Sequence, residues 1–179
     1  MTYEEILKFH GHECPGIAMG FRMTIAAMQH LSSTRSEDEE LVAIVENDAC
    51  GVDALQCITG CTFGKGNLLF HDYGKQVYTI YSRSSRMGAR VLFHGAGIPN
   101  EVRENRNEFT SWLLSAPTER ILSVAKVMIE EPEPAKIRKS IECAFCGESV
   151  MDSRIKDCRG KPACIPCFEK HLSVYEVAQ

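Results

Sequence analysis

No run of this 179-residue sequence is apolar for long enough to span a bilayer. Its opening, MTYEEILKFH, carries acids where a secretory leader carries positive charge and an apolar stretch, which predicts a cytoplasmic protein. There is no surplus of positive charge: 20 Lys and Arg stand against 24 Asp and Glu. Residues 1–135 are acidic, at −6, and residues 136–179 stand at +2. Without a basic surplus, phosphate neutralisation has little to work with, and nucleic acid is not an expected partner. Several catalytic signatures are missing as well. There is no Gly-rich dinucleotide fingerprint and no G-x-S-x-G, and Gly60 lies one residue too close to Gly64-Lys65 for a phosphate loop, with Gly66 where Ser or Thr is required. The body lacks a C-x-x-C-x-x-C run, which argues against an iron–sulfur cluster.

Cysteine, by contrast, is plentiful. The nine include two C-x-x-C pairs, Cys143/Cys146 and Cys164/Cys167, separated by 17 residues. That spacing suits a closed site of four thiolates and a reducing compartment better than a disulfide framework. Some 40 residues bury too little apolar surface to fold unaided, so structural zinc is expected to hold this segment together, with rubredoxin-type iron as the rival. A knuckle at the first pair, a hairpin turning near Arg159-Gly160 and a helix from the second pair would make a treble clef. Cys158 is then a spare hairpin thiol. The stretch EEPEPAK ahead of it reads as a linker.

Thr2 and Glu5 read as a capping box for a first helix ending at Gly11. Pro15 suits the first position of a second helix, with Ile17, Phe21, Ile25 and Met28 as its expected buried stripe and Gly16 and Gly20 admitting another backbone closely. LVAIVE predicts a strand, and GVDALQCITG a short helix. Two strands are expected to form a hairpin around Tyr73-Gly74, ARVLFH a further strand, residues 100–116 one helix, TERILS a shorter helix and VAKVMI a last strand. With Pro15 opening its helix, Cys14 takes the N-cap, where free N–H groups and the helix dipole favour a thiolate. His10 and His12 are placed to hold a metal or move a proton beside it. A second cluster has Cys50 ahead of a helix, Asp53 in its first turn, Cys57 and Cys61 on one face, and Lys65 in a glycine-rich loop that reads either as an anion cradle or as a solvated turn.

HGHECPGIAMGFR, ENDACGVDALQ, TGCTFGKGNL with DYGK, and the four-cysteine finger together resemble the FmdE family of formylmethanofuran dehydrogenase proteins over nearly the whole chain. The resemblance implies an α+β fold, an antiparallel-rich sheet packed with helices, followed by the small treble-clef finger. The expected layout is a core over 1–130, a linker over 131–139 and the finger over 140–179. It further implies intertwined homodimers and a cavity in which the motif residues bind a metal. His10, His12, Cys14, Cys50, Asp53, Cys61, Thr62 and Lys65 match those motifs. The ligands expected for a core metal are His12, Cys14 and Cys61 or Cys50, with His10 or Asp53 handling protons. The leading reading is an enzyme or a component of one, linked through the family to one-carbon chemistry of the formylmethanofuran type. The alternatives are a metal carrier or sensor, or an adaptor whose zinc finger docks a partner protein.

Overall fold

A computed structural model describes residues 1–95 and 97–173, in two compact units, Met1–Ala135 and Lys136–Gln179. The fold is mixed α+β, with seven α-helices among the described residues and one five-stranded, mostly antiparallel sheet. None of these helices is long and apolar enough to cross a membrane.

In the first unit α1 (Tyr3–His10) opens on the Thr2/Glu5 capping box and ends at Gly11, whose φ of 92° is open to glycine at no steric cost. After it, α2 (Pro15–Leu31) carries Cys14 at its N-cap and Pro15 at its first position, as the sequence predicts. The stripe on α2 differs from the expected one. Ile17 and Met28 are buried, but Phe21 and Ile25 only flank the core, and the remaining buried positions are Ala18, Gly20, Met23, Thr24 and Ala27. Small residues occupy that face because α3 (Gly51–Thr59) crosses it at backbone distance: a Cβ on Gly20 would lie 2.2 Å from the Gly51 carbonyl oxygen.

The sheet runs in the order β2 (Leu68–Phe70), β1 (Leu41–Val45), β3 (Val77–Ser82), β4 (Met87–Phe93), β5 (Leu122–Val127). The expected hairpin around Tyr73-Gly74 is not formed. β1 lies between β2 and β3, parallel to the first and antiparallel to the second, and residues 71–75 instead wrap the end of β1, with His71 N–H donating to Val45 and Lys75 N–H to Glu46. β3, paired on both sides, is buried along its whole length, and α2 packs on β3, β4 and β5. The helix expected over 100–116 is broken at Asn105 into α4 (Asn100–Glu104) and α5 (Arg106–Ser115). The side-chain carbonyl oxygen of Asn105 accepts from the N–H groups of Asn107 and Glu108 and so caps the second piece. At its far end Arg22 donates to the carbonyls of Leu113, Leu114 and Ala116, and the short α6 (Thr118–Ile121) leads into β5. Residues 131–139 carry no regular structure.

The second unit has two small hairpins, β6 (Ser140–Glu142) with β7 (Ser149–Met151) and β8 (Lys156–Cys158) with β9 (Lys161–Ala163), then α7 (Ile165–Ser173). The β8–β9 turn has positive φ at both Arg159 and Gly160, the twist that suits a two-residue hairpin. The thiols of Cys143, Cys146, Cys164 and Cys167 all lie within 4.8 Å of one another, an arrangement that fits a zinc finger. The knuckle is closed by Gly147 N–H donating to the Cys143 carbonyl, and the Cys143 sulfur accepts from Cys164 N–H at 3.3 Å. That backbone donor leads the influences holding the Cys143 thiol down at about 6, while its thiol neighbours, Cys164 first, push Cys167 up to about 12. Four thiols so close ionise together only around a cation, so the donor set fits a metal ion.

Candidate metal and thiol site

Three elements deliver one donor each to a second cluster. His10 ends α1, Cys14 caps α2 and Cys50 stands at the start of α3, and their ligand atoms lie within 4.8 Å of one another. Gly11 turns the chain between the first two. Cys14 is extended, and its sulfur accepts from Ile17 N–H at 3.4 Å, the bond a Ser or Asp cap would make. Cys50 makes no capping bond, which leaves its thiol free to face Cys14. Gly16 makes the room: a Cβ there would stand 3.0 Å from the Cys50 Cβ.

His10 is oriented from behind. Its Nδ1 lies 2.7 Å from Asp53 Oδ2, and the other Asp53 oxygen accepts from Gln56 at 3.3 Å. Nε2 is therefore the nitrogen presented to Cys14, 3.9 Å away. The Asp53 hydrogen bond raises the His10 pKa, burial opposing it and Cys14 adding to it. Burial alone would push the Cys14 thiol up, but the Ile17 N–H, His10, Cys50 and the Gly16 N–H together hold it below the ordinary value. Burial, and then the charge of Cys14, push Cys50 the other way. Of the two sulfurs Cys14 is the readier thiolate.

The residues expected from the sequence divide accordingly. His10, Cys14, Cys50 and Asp53 come together. The grouping of His12, Cys14 and Cys61 does not form. His12 is exposed and stacks its ring 4.5 Å from that of His10, outside the three-donor cluster. Cys61 follows the opposite end of α3 from Cys50, about 13 Å of helix away. It is fully buried, its thiol donates to the Leu41 carbonyl at 3.4 Å, and burial raises its pKa. Lys65 does not face the cluster either: its ammonium donates to the Glu37 and Asp38 carbonyls, both at 3.2 Å. Thr62 shapes the same loop, its hydroxyl accepting from Lys65 N–H while its own N–H donates to Asn67.

A cleft of about 430 Å³ adjoins the cluster, lined by His10, Cys50 and Asp53 and by groups that sequence reasoning passed over, among them Asn47, Asp48, Phe63 and Phe70. Asn47 had a signal in the Asn-Asp pair ahead of Cys50: its amide donates to the Lys75 carbonyl at 2.6 Å and accepts from Ala49 N–H, fixing the turn that aims Cys50. Phe63 and Phe70 had none, since only tertiary structure brings them to the cleft.

Comparison with known proteins bears on this arrangement. The family described as "FmdE, Molybdenum formylmethanofuran dehydrogenase operon" matches residues 9–139. A protein of Archaeoglobus fulgidus named "Probable S-adenosyl-L-methionine-binding protein" is 30% identical over 195 aligned positions, which take in 93% of this chain and 52% of that protein. The chain thus spans about half the length of that relative. The crystal structure of an FmdE-like protein of tungsten formylmethanofuran dehydrogenase type from Syntrophus aciditrophicus superposes with a TM-score of 0.70 at 27% identity, over 93% of this chain and 92% of that one.

Proposed function

This chain belongs to the FmdE family, and on that footing we propose that it is a metal-dependent enzyme, or a component of one, whose core ion is held by His10, Cys14 and Cys50. The observation that carries the reading is the contrast between the two clusters. Four thiols in the tail form a closed set, whereas three donors in the core leave a tetrahedral ion one open position, beside a cleft large enough for a small ligand. The Asp53–His10 pair supports it further, because a carboxylate that fixes the outer nitrogen of a histidine is the usual support of a metal-binding imidazole. An ion at such a position supplies Lewis acidity to a bound water or ligand. The chain's own residues do the rest: Asp53 keeps the proton of His10 on Nδ1, the Ile17 N–H favours the thiolate form of Cys14, and the apolar cleft wall thins out water.

The wider role follows the family. We place the activity in one-carbon chemistry of the formylmethanofuran type, in a homodimer, with zinc in the four-cysteine unit and that unit docking a protein partner. A second reading, a carrier that hands its ion on, is favoured by the exposure of Cys50, a ligand that an incoming partner can reach.

Elemental analysis of anaerobically purified protein tests the central claim. The expected result is two metal equivalents per chain, falling to one in the Cys14→Ala/Cys50→Ala double variant and remaining at two in Cys61→Ala. One equivalent in the wild type would overturn the core site.

A further inference from the structure

The chemistry of the cleft also selects what the proposed core ion receives, an inference that rests on the metal reading above. Beyond His10 and Cys50 its apolar walls are Val45, Ala49, Val52, Leu68, Phe63 and Phe70. Phe63 is 79% and Phe70 45% exposed, so two aromatic rings stand at the rim with much of their surface in water. The position of Phe63 is built: its loop is tied by Thr62 N–H to the buried Asn67 at 2.9 Å and by Lys65 N–H to the Thr62 hydroxyl. An exposed ring on a braced loop beside a cleft is surface for a flat partner.

Charge narrows the class. The described lining includes Asp48 and Asp53 and neither Lys nor Arg. The lysines of the flanking loops are turned to other groups, Lys65 to the Glu37 and Asp38 carbonyls and Lys75 to Glu46 at 4.0 Å and the Tyr73 ring at 5.6 Å. Two thiolates neutralise a divalent ion, which leaves the carboxylates to set the sign of the field. A site of two sulfurs and an imidazole favours a soft donor in its open position.

We propose that the cleft takes a small molecule with a flat apolar body, a sulfur donor directed at the core ion and a neutral or cationic far end, and that it discriminates against carboxylated and phosphorylated ligands. The probes are para-aminomethyl thiophenol and para-carboxy thiophenol, which share ring and thiol and differ in the sign of the far end. Each is titrated at low ionic strength into the cobalt(II)-loaded full-length protein, following the sulfur-to-cobalt charge-transfer band, with Cys14→Ala/Cys50→Ala as the baseline for the closed tail site. The amine is expected to bind about tenfold more tightly than the carboxylate. Asp48→Asn should shrink that ratio severalfold, and Phe63→Ala should weaken both probes while leaving the ratio in place. Equal affinities, a preference for the carboxylate, or a ratio that Asp48→Asn leaves unchanged would overturn the inference. A wild type that takes up a second cobalt equivalent but whose band responds no more than the baseline would overturn it as well, whereas a single cobalt equivalent in the wild type would overturn the underlying metal reading instead.

Discussion

Asp53 decides which proton His10 keeps, and the consequence runs in opposite directions for folding and for metal binding. In the metal-free protein the Asp53 hydrogen bond raises His10 above its ordinary 6.5. A raised histidine contributes stability that is fully present below 6.5 and is lost as pH rises through the elevated value. A metal needs Nε2 unprotonated, so core-metal affinity should climb over that same window. Asp53→Asn is expected to return the His10 titration towards 6.5, read by NMR of the metal-free protein, and to lower core-metal affinity about 10- to 100-fold, read by competition with a chromophoric chelator. An unchanged affinity would remove Asp53 from the role of orienting His10. The Cys14 cap was legible in the sequence because Pro15 adjoins it and capping is a matter of neighbouring residues. The His10–Asp53 pair was not, being 43 positions apart. Cys50 and Cys61 were not told apart for the same reason: the helix between them allows only one end to reach His10, and which end does so is decided by the tertiary structure.

At the scale of elements, the crossing of α2 over α3 holds the site together, since Cys14 starts one helix and Cys50 the other. Gly20 and Gly51 meet there with no space for a methyl group, the Gly51 carbonyl being 2.2 Å from the place a Gly20 Cβ would occupy. Gly20→Ala should force the helices apart and cost about 3 kcal/mol, at the upper end of overpacking penalties, measured by urea unfolding. The same variant should lose core metal while the tail keeps its equivalent; unaltered stability would mean the crossing has slack. The close approach was legible from the glycine spacing, but the buried face of α2 was not. Reading large apolar side chains as the core picked Phe21 and Ile25, whereas a backbone-distance crossing selects the smallest residues. The misread hairpin has a similar cause. Gly74 does take a left-handed φ of 64°, but local chemistry does not reveal that a strand from about 30 residues earlier lies between the two that the segment joins.

Across the whole molecule the two units are stabilised by different means. The first has a continuous apolar core reaching from Ile6 to Leu122. In the described part of the second, the buried apolar residues are Cys143, Cys158, Ala163 and Cys164, while Ile137, Ile141, Phe145, Met151 and Ile165 are exposed. Three of the four buried residues are cysteines, and two of those belong to the four-thiol cluster. A unit so poor in buried hydrocarbon is expected to need a bound ion to fold, and its four-thiol set was legible from C-x-x-C spacing alone, whereas the core site needed tertiary structure to assemble. Cys143→Ser is therefore expected to remove one metal equivalent and to abolish hydrogen-exchange protection across β6–β9 and α7. The unfolding free energy of the first unit should stay within about 0.5 kcal/mol of wild type. Cys158→Ser, at a buried thiol outside the cluster, should retain the metal and most of the protection. Protection that survived in metal-free Cys143→Ser would mean that packing rather than coordination holds the unit, and the zinc assigned to it would then be an occupant rather than the source of its fold.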